Sequence, residues 1–113
     1  MDIQSDQIAI CKYYGSDFVR TLPLQTLGIS RTFCKQNPPI HGLRHPAEGA
    51  TAGWYIWTGD WSSDPNFFVP IHAQHLVERC PSILHLLGLA PGWRFLVADN
   101  YEDVWFDPKL IEI

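Results

Sequence analysis

The sequence predicts an α+β domain: a small, mostly antiparallel sheet of about four strands, a helical pair packed on one face, and a short N-terminal helix. Three observations lead there. Short apolar and aromatic runs sit between Gly and Pro punctuation, most clearly Gly53-Trp54-Tyr55-Ile56-Trp57 and Pro91-Gly92-Trp93-Arg94-Phe95-Leu96. All five tryptophans fall between positions 54 and 105. Tryptophan buries a large apolar area and seeks a partner for its indole N–H, so the core belongs to the second half of the chain. Finally, Pro70 and Pro81 each head a stretch with an apolar stripe, the position where a helix tolerates proline.

Taken in order, Asp6 to Gly15 reads as a helix, capped by Ser5 or Asp6 and ended by Gly15. An extended linker from Asp17 to Pro23 leads to a strand over Leu27–Phe33, where apolar and polar residues alternate. Residues 35–53 contain Pro38, Pro39, Pro46, Gly42, Gly49 and Gly53 and read as one long irregular loop. The second strand, Gly53–Thr58, sends Trp54 and Ile56 to one face and Tyr55 and Trp57 to the other, as a central strand covered on both faces would. A turn over Gly59–Pro65 follows. Pro70 opens a helix with Ile71, Leu76, Val77 and Cys80 on its apolar side, and Pro81 opens a second, Ser82–Leu87, ended by Gly88. Strands over Trp93–Ala98 and Asp103–Asp107 pair as a hairpin through a loop of about four residues, Asp99 to Glu102.

A chain of 113 residues sets the expectation of a single domain, 1–113. Its charge is uneven. Residues 1–53 hold four acids and five bases, residues 54–113 eight acids and three bases. An acidic half argues against nucleic acid, whose phosphates call for Lys and Arg, and suits a basic protein partner. Cys11, Cys34 and Cys80 form no CxxC pair, which excludes a redox motif or zinc ribbon. Isolated thiols without a signal peptide fit a cytoplasmic protein, and no apolar run approaches the ~20 residues that span a bilayer.

Motifs for chemistry are weak. His41 and His45 are four apart but lie in the Gly/Pro-rich stretch. His72 and His75 are three apart in a predicted helix, without the glutamate of a zinc-protease motif. Packing and hydrogen bonding are the structural roles that compete with a metal site at these histidines. Ser62-Ser63 stands in a turn with no evident base, and Cys34 or Cys80 has no partner required by spacing. Glu102 and Asp103 sit together at a predicted hairpin tip, where carboxylates are ordinarily solvated. No cofactor is expected. The remaining signal is a surface: Trp57, Asp60, Trp61 and Asp64 cluster where the second strand leaves the sheet, and Tyr101, Glu102 and Asp103 lie at another turn. Aromatic rings supply contact area and acids supply steering, so these seven residues are the candidate protein-binding patch. The alternative is that Trp57 belongs to the core and Trp61 pins its turn.

Several stretches, in one order, carry a resemblance: Gly42-Leu43-Arg44-His45-Pro46, Gly53-Trp54-Tyr55-Ile56-Trp57, Asp64-Pro65 with Phe67-Phe68, Pro70 with His72 and His75-Leu76, Leu87-Gly88-Leu89, Pro91-Gly92-Trp93-Arg94-Phe95-Leu96 and Tyr101-Glu102-Asp103-Val104-Trp105. Together they resemble the bacterial immunity protein family thirty-three, over residues 27–110 and more loosely over residues 1–26. The resemblance implies a small cytoplasmic protein that binds and neutralises a cognate polymorphic toxin without catalysis. It carries over no catalytic residue. The rival expectation is a small metal- or ligand-dependent enzyme or ligand-binding module whose pocket gathers Arg44, His45, His72 and His75. Arg44 has a structural reading as well, bonding carboxylates or carbonyls across the long loop.

Overall fold

The computed structural model describes residues 3–33 and 36–111. The opening helix, α1 (Ile3–Tyr14), begins before Ser5 and ends where expected. Gly15 takes a positive φ of 87°, and the amides of Gly15 and Ser16 both donate to the carbonyl of Cys11. The strands are β1 (Thr26–Ser30), β2 (Ile40–Arg44), β3 (Thr51–Thr58), β4 (Phe68–His72), β5 (Trp93–Ala98) and β6 (Tyr101–Phe106). They form a single six-stranded sheet in the order β4-β1-β3-β2-β5-β6. Every neighbouring pair is antiparallel except β1 with β3, which run parallel with Ile29 opposite Ile56.

The sheet thus has six strands, not about four, and the two additional strands correct specific readings. β2 lies inside the stretch expected to be irregular, and it occupies a central place in the sheet. Its glycine is there for a close approach rather than a turn. A Cβ on Gly42 would stand 2.2 Å from two atoms of the Phe95 ring across the β2–β5 ladder. β4 replaces the helix expected to begin at Pro70. It is an edge strand, where the missing N–H faces solvent and removes no ladder bond. The helical pair begins after it as a 3₁₀ turn (Ala73–His75), one α turn, α2 (Leu76–Arg79), and a 3₁₀ segment (Pro81–Leu86) with its proline at the start. The β5–β6 hairpin turns through two residues, Asp99 and Asn100, with Asn100 at a φ of 58°. Glu102 and Asp103 are therefore strand residues.

Cross-strand partners share a face, so the register sorts the sheet. One face carries Leu27, Ile29, Ala52, Trp54, Ile56, Ile40, Phe95 and Val104. It packs with Cys11, Leu76, Cys80, Ile83, Leu86 and Leu89 from the helical segments into one core. The other face presents the row Trp57, His41, Leu96, Asp103 and the row Tyr55, Leu43, Arg94, Trp105. The strand directions also put the β1–β2, β3–β4 and β5–β6 connections at one end of the sheet.

Replacing Gly42 by Ala forces the buried Phe95 ring to move. The expected cost is about 1–3 kcal/mol of unfolding free energy, measured by urea denaturation, with part recovered in the double variant Gly42→Ala/Phe95→Leu.

Candidate functional site

Arg44 ends β2 on the helix-covered face and is 1% exposed. Its Nε donates to the Ala52 carbonyl at 3.0 Å, and Nη1 donates to the carbonyls of Val19 and Leu89 at 2.7 Å each. Among the described residues none of its hydrogen-bond partners is a carboxylate, so carbonyl dipoles and the Trp54 ring, 5.5 Å from the guanidinium carbon, hold the charge. Burial pushes its pKa down to about 10, which leaves it charged at neutral pH. The other members of the rival pocket stand elsewhere. His45 bonds the Leu110 carbonyl through Nδ1 and lines a cleft with Glu48, Tyr55 and Lys109. His72 and His75 stack, with centroids 5.9 Å apart, beside Thr26 and Pro70 at the β4 edge. His45 lines one cleft, His72 and His75 line another, and Arg44 is buried; among the described residues no three His, Cys, Asp or Glu side chains gather as a metal site. Cys80 is buried, and burial pushes the Cys11 thiol up in pKa; Cys34 lies outside the described residues.

On the opposite face the side chains converge. Trp57 is 5% exposed and stacks on His41 at 4.9 Å between centroids. Trp61 packs edge-on against Trp57 at 5.1 Å and also meets Phe67 and Phe68, yet 57% of it remains exposed. Phe68 in turn contacts Tyr55, whose ring lies against Gly28 on β1. These spacings are those of edge-to-face and stacked aromatic pairs. Trp57 thus fills the floor of an aromatic cluster on this face, and Trp61 caps it while presenting its outer surface to solvent.

At the far side Tyr101, 56% exposed, and Trp105 flank Asp103 on the same face, and Arg94 lies over Trp105 while bonding Asp107 at 3.1 Å. Asp60, Asp64 and Asp99 are exposed in the connections at the end where Tyr101 begins β6. The two candidate clusters, far apart in sequence, therefore border one surface. They are separated by the three strand spacings from β3 to β6, roughly 14 Å. Glu102 departs from the group. It points to the helical face and bonds His85 Nε2 at 2.6 Å.

Sequence reasoning left His41, Leu43, Arg94, Leu96 and Trp105 out of the binding patch, although their strand positions put them across the middle of this face. The period-two spacing of Tyr101, Asp103 and Trp105 held the signal for the last of them. His41, Leu43 and their row partners required β2 to be recognised as a strand.

Fold and surface together define a small α+β domain with one sheet face sealed by helices and the other displaying aromatic side chains at an acidic rim. The chain belongs to the Imm33-like domain family, whose family model matches residues 6–107 and so includes most of α1. That family is named for immunity proteins. No curated protein and no solved structure matches the chain. Among the described residues no helix is long and apolar enough to cross a membrane.

Two measurements follow from the geometry. Arg44→Met orphans two buried carbonyls, those of Ala52 and Leu89, each at about 1–3 kcal/mol, and the part-buried carbonyl of Val19, so urea unfolding is expected to show a loss of about 2 kcal/mol or more. Arg44→Lys recovers only part, because one ammonium cannot reproduce the guanidinium fork. At His41, burial and, less strongly, the Arg94 charge lower the pKa below the usual 6.5. Above pH 6.5 the imidazole is neutral folded and unfolded and adds no slope. As pH falls through 6.5 toward the lower folded value, the unfolded chain takes up the proton first and stability drops. A series of Tm values from neutral pH to about pH 5 is expected to fall less steeply for His41→Gln than for the parent chain.

Proposed function

We propose that this chain is a non-catalytic, cytoplasmic immunity protein that binds a cognate bacterial toxin and neutralises it by covering its active site or another essential surface. Family membership supports the reading, and one feature of the molecule carries it to a surface. A tryptophan more than half exposed caps an aromatic cluster that, among the described residues, no helix covers, beside the exposed acids Asp60 and Asp64. Exposed aromatic groups of this kind supply most of the energy at protein interfaces, and the surrounding charge speeds encounter with a basic partner. The contact residues on this reading are Asp60, Trp61, Asp64, Tyr101 and Asp103, with Leu96 and Trp105 between the two clusters, while the buried Trp57 supports Trp61 from beneath. Glu102 contributes to the local field from the other face. A toxin with a basic substrate-binding cleft, as nucleases have, is the partner class that this rim fits.

The experiment is a growth rescue: the toxin domain encoded beside this gene is induced in a bacterial host with and without the chain. Survival only with the chain, together with co-purification of the two proteins, supports the proposal; death despite abundant folded chain removes that toxin as the target. With the purified pair in a kinetic binding measurement, Trp61→Ala is expected to weaken binding by about 2 kcal/mol. Asp60→Lys is expected to slow association, with a diminished salt dependence. Tm should stay nearly unchanged for Asp60→Lys, which separates a binding role from a folding role, whereas Trp61→Ala also gives up ring contacts with Trp57, Phe67 and Phe68 and is expected to lower Tm modestly.

A further inference from the structure

The two edges of the sheet are built differently. At the β4 edge Pro70 stands at the centre of a five-residue strand and removes a backbone donor from the solvent side. That edge is closed to a further strand. The β6 edge has no such guard. β6 is six residues long, roughly 20 Å, and contains neither proline nor glycine. All of its residues except Val104 are exposed. Among the described residues β6 pairs only with β5, and none of its backbone groups bonds to any other segment.

The side chains on this edge say what fits. Toward the open face β6 shows Tyr101, Asp103 and Trp105, an acid between two rings. A Lys or Arg placed opposite Asp103 meets its carboxylate while its aliphatic stem lies along the neighbouring rings. Toward the helical face Glu102 is engaged by His85, and Phe106 is exposed beside the buried Val104, so that face calls for apolar residues. β6 carries two acids and no base, in a chain of net charge −4. An acidic strand is repelled here, and a second copy that sets Asp103 against Asp103 puts like charges opposite each other.

We propose that the toxin docks on this edge as a seventh strand: an extended segment pairs with the outer side of β6 and sets a Lys or Arg opposite Asp103. The inference rests on the toxin-binding reading above and names the part of the toxin that the chain receives. Main-chain hydrogen bonds to β6 supply affinity, and alternate side chains supply selectivity. The bound strand extends the aromatic face at Trp105 and Tyr101, so edge and face form one continuous surface.

Hydrogen exchange of the full chain, alone and with the toxin domain encoded beside its gene, tests this directly. The expected result is that alternate amides within Tyr101–Phe106 slow by about tenfold or more in the complex, while those of Phe68–His72 do not change. Asp103→Lys should weaken the complex by about tenfold and leave the exchange of the free chain as it was. A complex that forms with β6 amides exchanging as in the free chain overturns the edge proposal and leaves toxin binding standing. Concentration-dependent protection of β6 in the chain alone makes a second copy the occupant and overturns it as well. Absence of any complex removes both readings.

Discussion

A single buried guanidinium ties the parts of this domain together. Among the described residues Arg44 has no carboxylate partner; it donates to carbonyls from the linker after α1 (Val19), from β3 (Ala52) and from the segment before β5 (Leu89). Removing an ion from water is costly, and only full hydrogen bonding offsets that cost. The geometry that satisfies Arg44 therefore also fixes where these three segments run. Trp54, directly opposite on β3, extends the tie: its indole N–H reaches Thr21 Oγ1 and the Leu87 carbonyl. Arg44 also anchors the start of β5 through its own carbonyl, which accepts from the Gly92 amide at 2.7 Å. The helical layer and the sheet are thus held by polar contacts at one end and by the apolar core along the rest.

Because the linker, the helical segments and α1 all close over one face, nothing in the described chain is left to cover the other. That face is stabilised instead by contacts within itself. Trp61 from the β3–β4 connection and Phe68 at the start of β4 pack on Trp57, Phe67 packs on both of them, and the Pro108–Leu110 turn reaches back to His45 at the opposite end. The centre remains thinly covered, with His41, Leu96 and Arg94 half-buried between the two. A surface so rich in rings invites self-association. The acids at its rim, in a chain of negative net charge, oppose that by mutual repulsion.

Much of this was legible in the sequence, and the failures have physical causes. The alternation of Trp54, Tyr55, Ile56 and Trp57 announced a central strand, whereas the second layer it suggested over Tyr55 and Trp57 is supplied, among the described residues, only by aromatic neighbours on the same face. Gly15, Pro81 and the β5–β6 hairpin were equally readable, although Asn100 shortens the hairpin turn to two residues. β2 was hidden because glycine signals a turn locally, whereas Gly42 answers to the Phe95 ring over fifty residues away. β4 was hidden because proline is a helix starter in isolation and a strand residue only at an edge, and edge position is a property of topology. The face to which Glu102 points depended on the two-residue turn, because shifting the start of a strand by one residue exchanges its faces. Arg44 was readable as a structural arginine, but its three acceptors come from segments that only the fold brings together.

The same arrangement separates what the domain needs for folding from what it offers to a partner. On the helical face nearly every side chain has neighbours that cannot move independently, so changes there cost stability before they alter recognition. On the open face Tyr101, Asp103 and Trp105 stand on an edge strand and keep much of their surface in water. Substitution at such positions changes shape and charge with little effect on the core. A scaffold of this kind can present different chemistry on one face while Arg44, Trp54 and Phe95 keep the fold constant. That division suits a protein whose task is to match a particular partner: selectivity is set where burial is incomplete, and stability where it is complete.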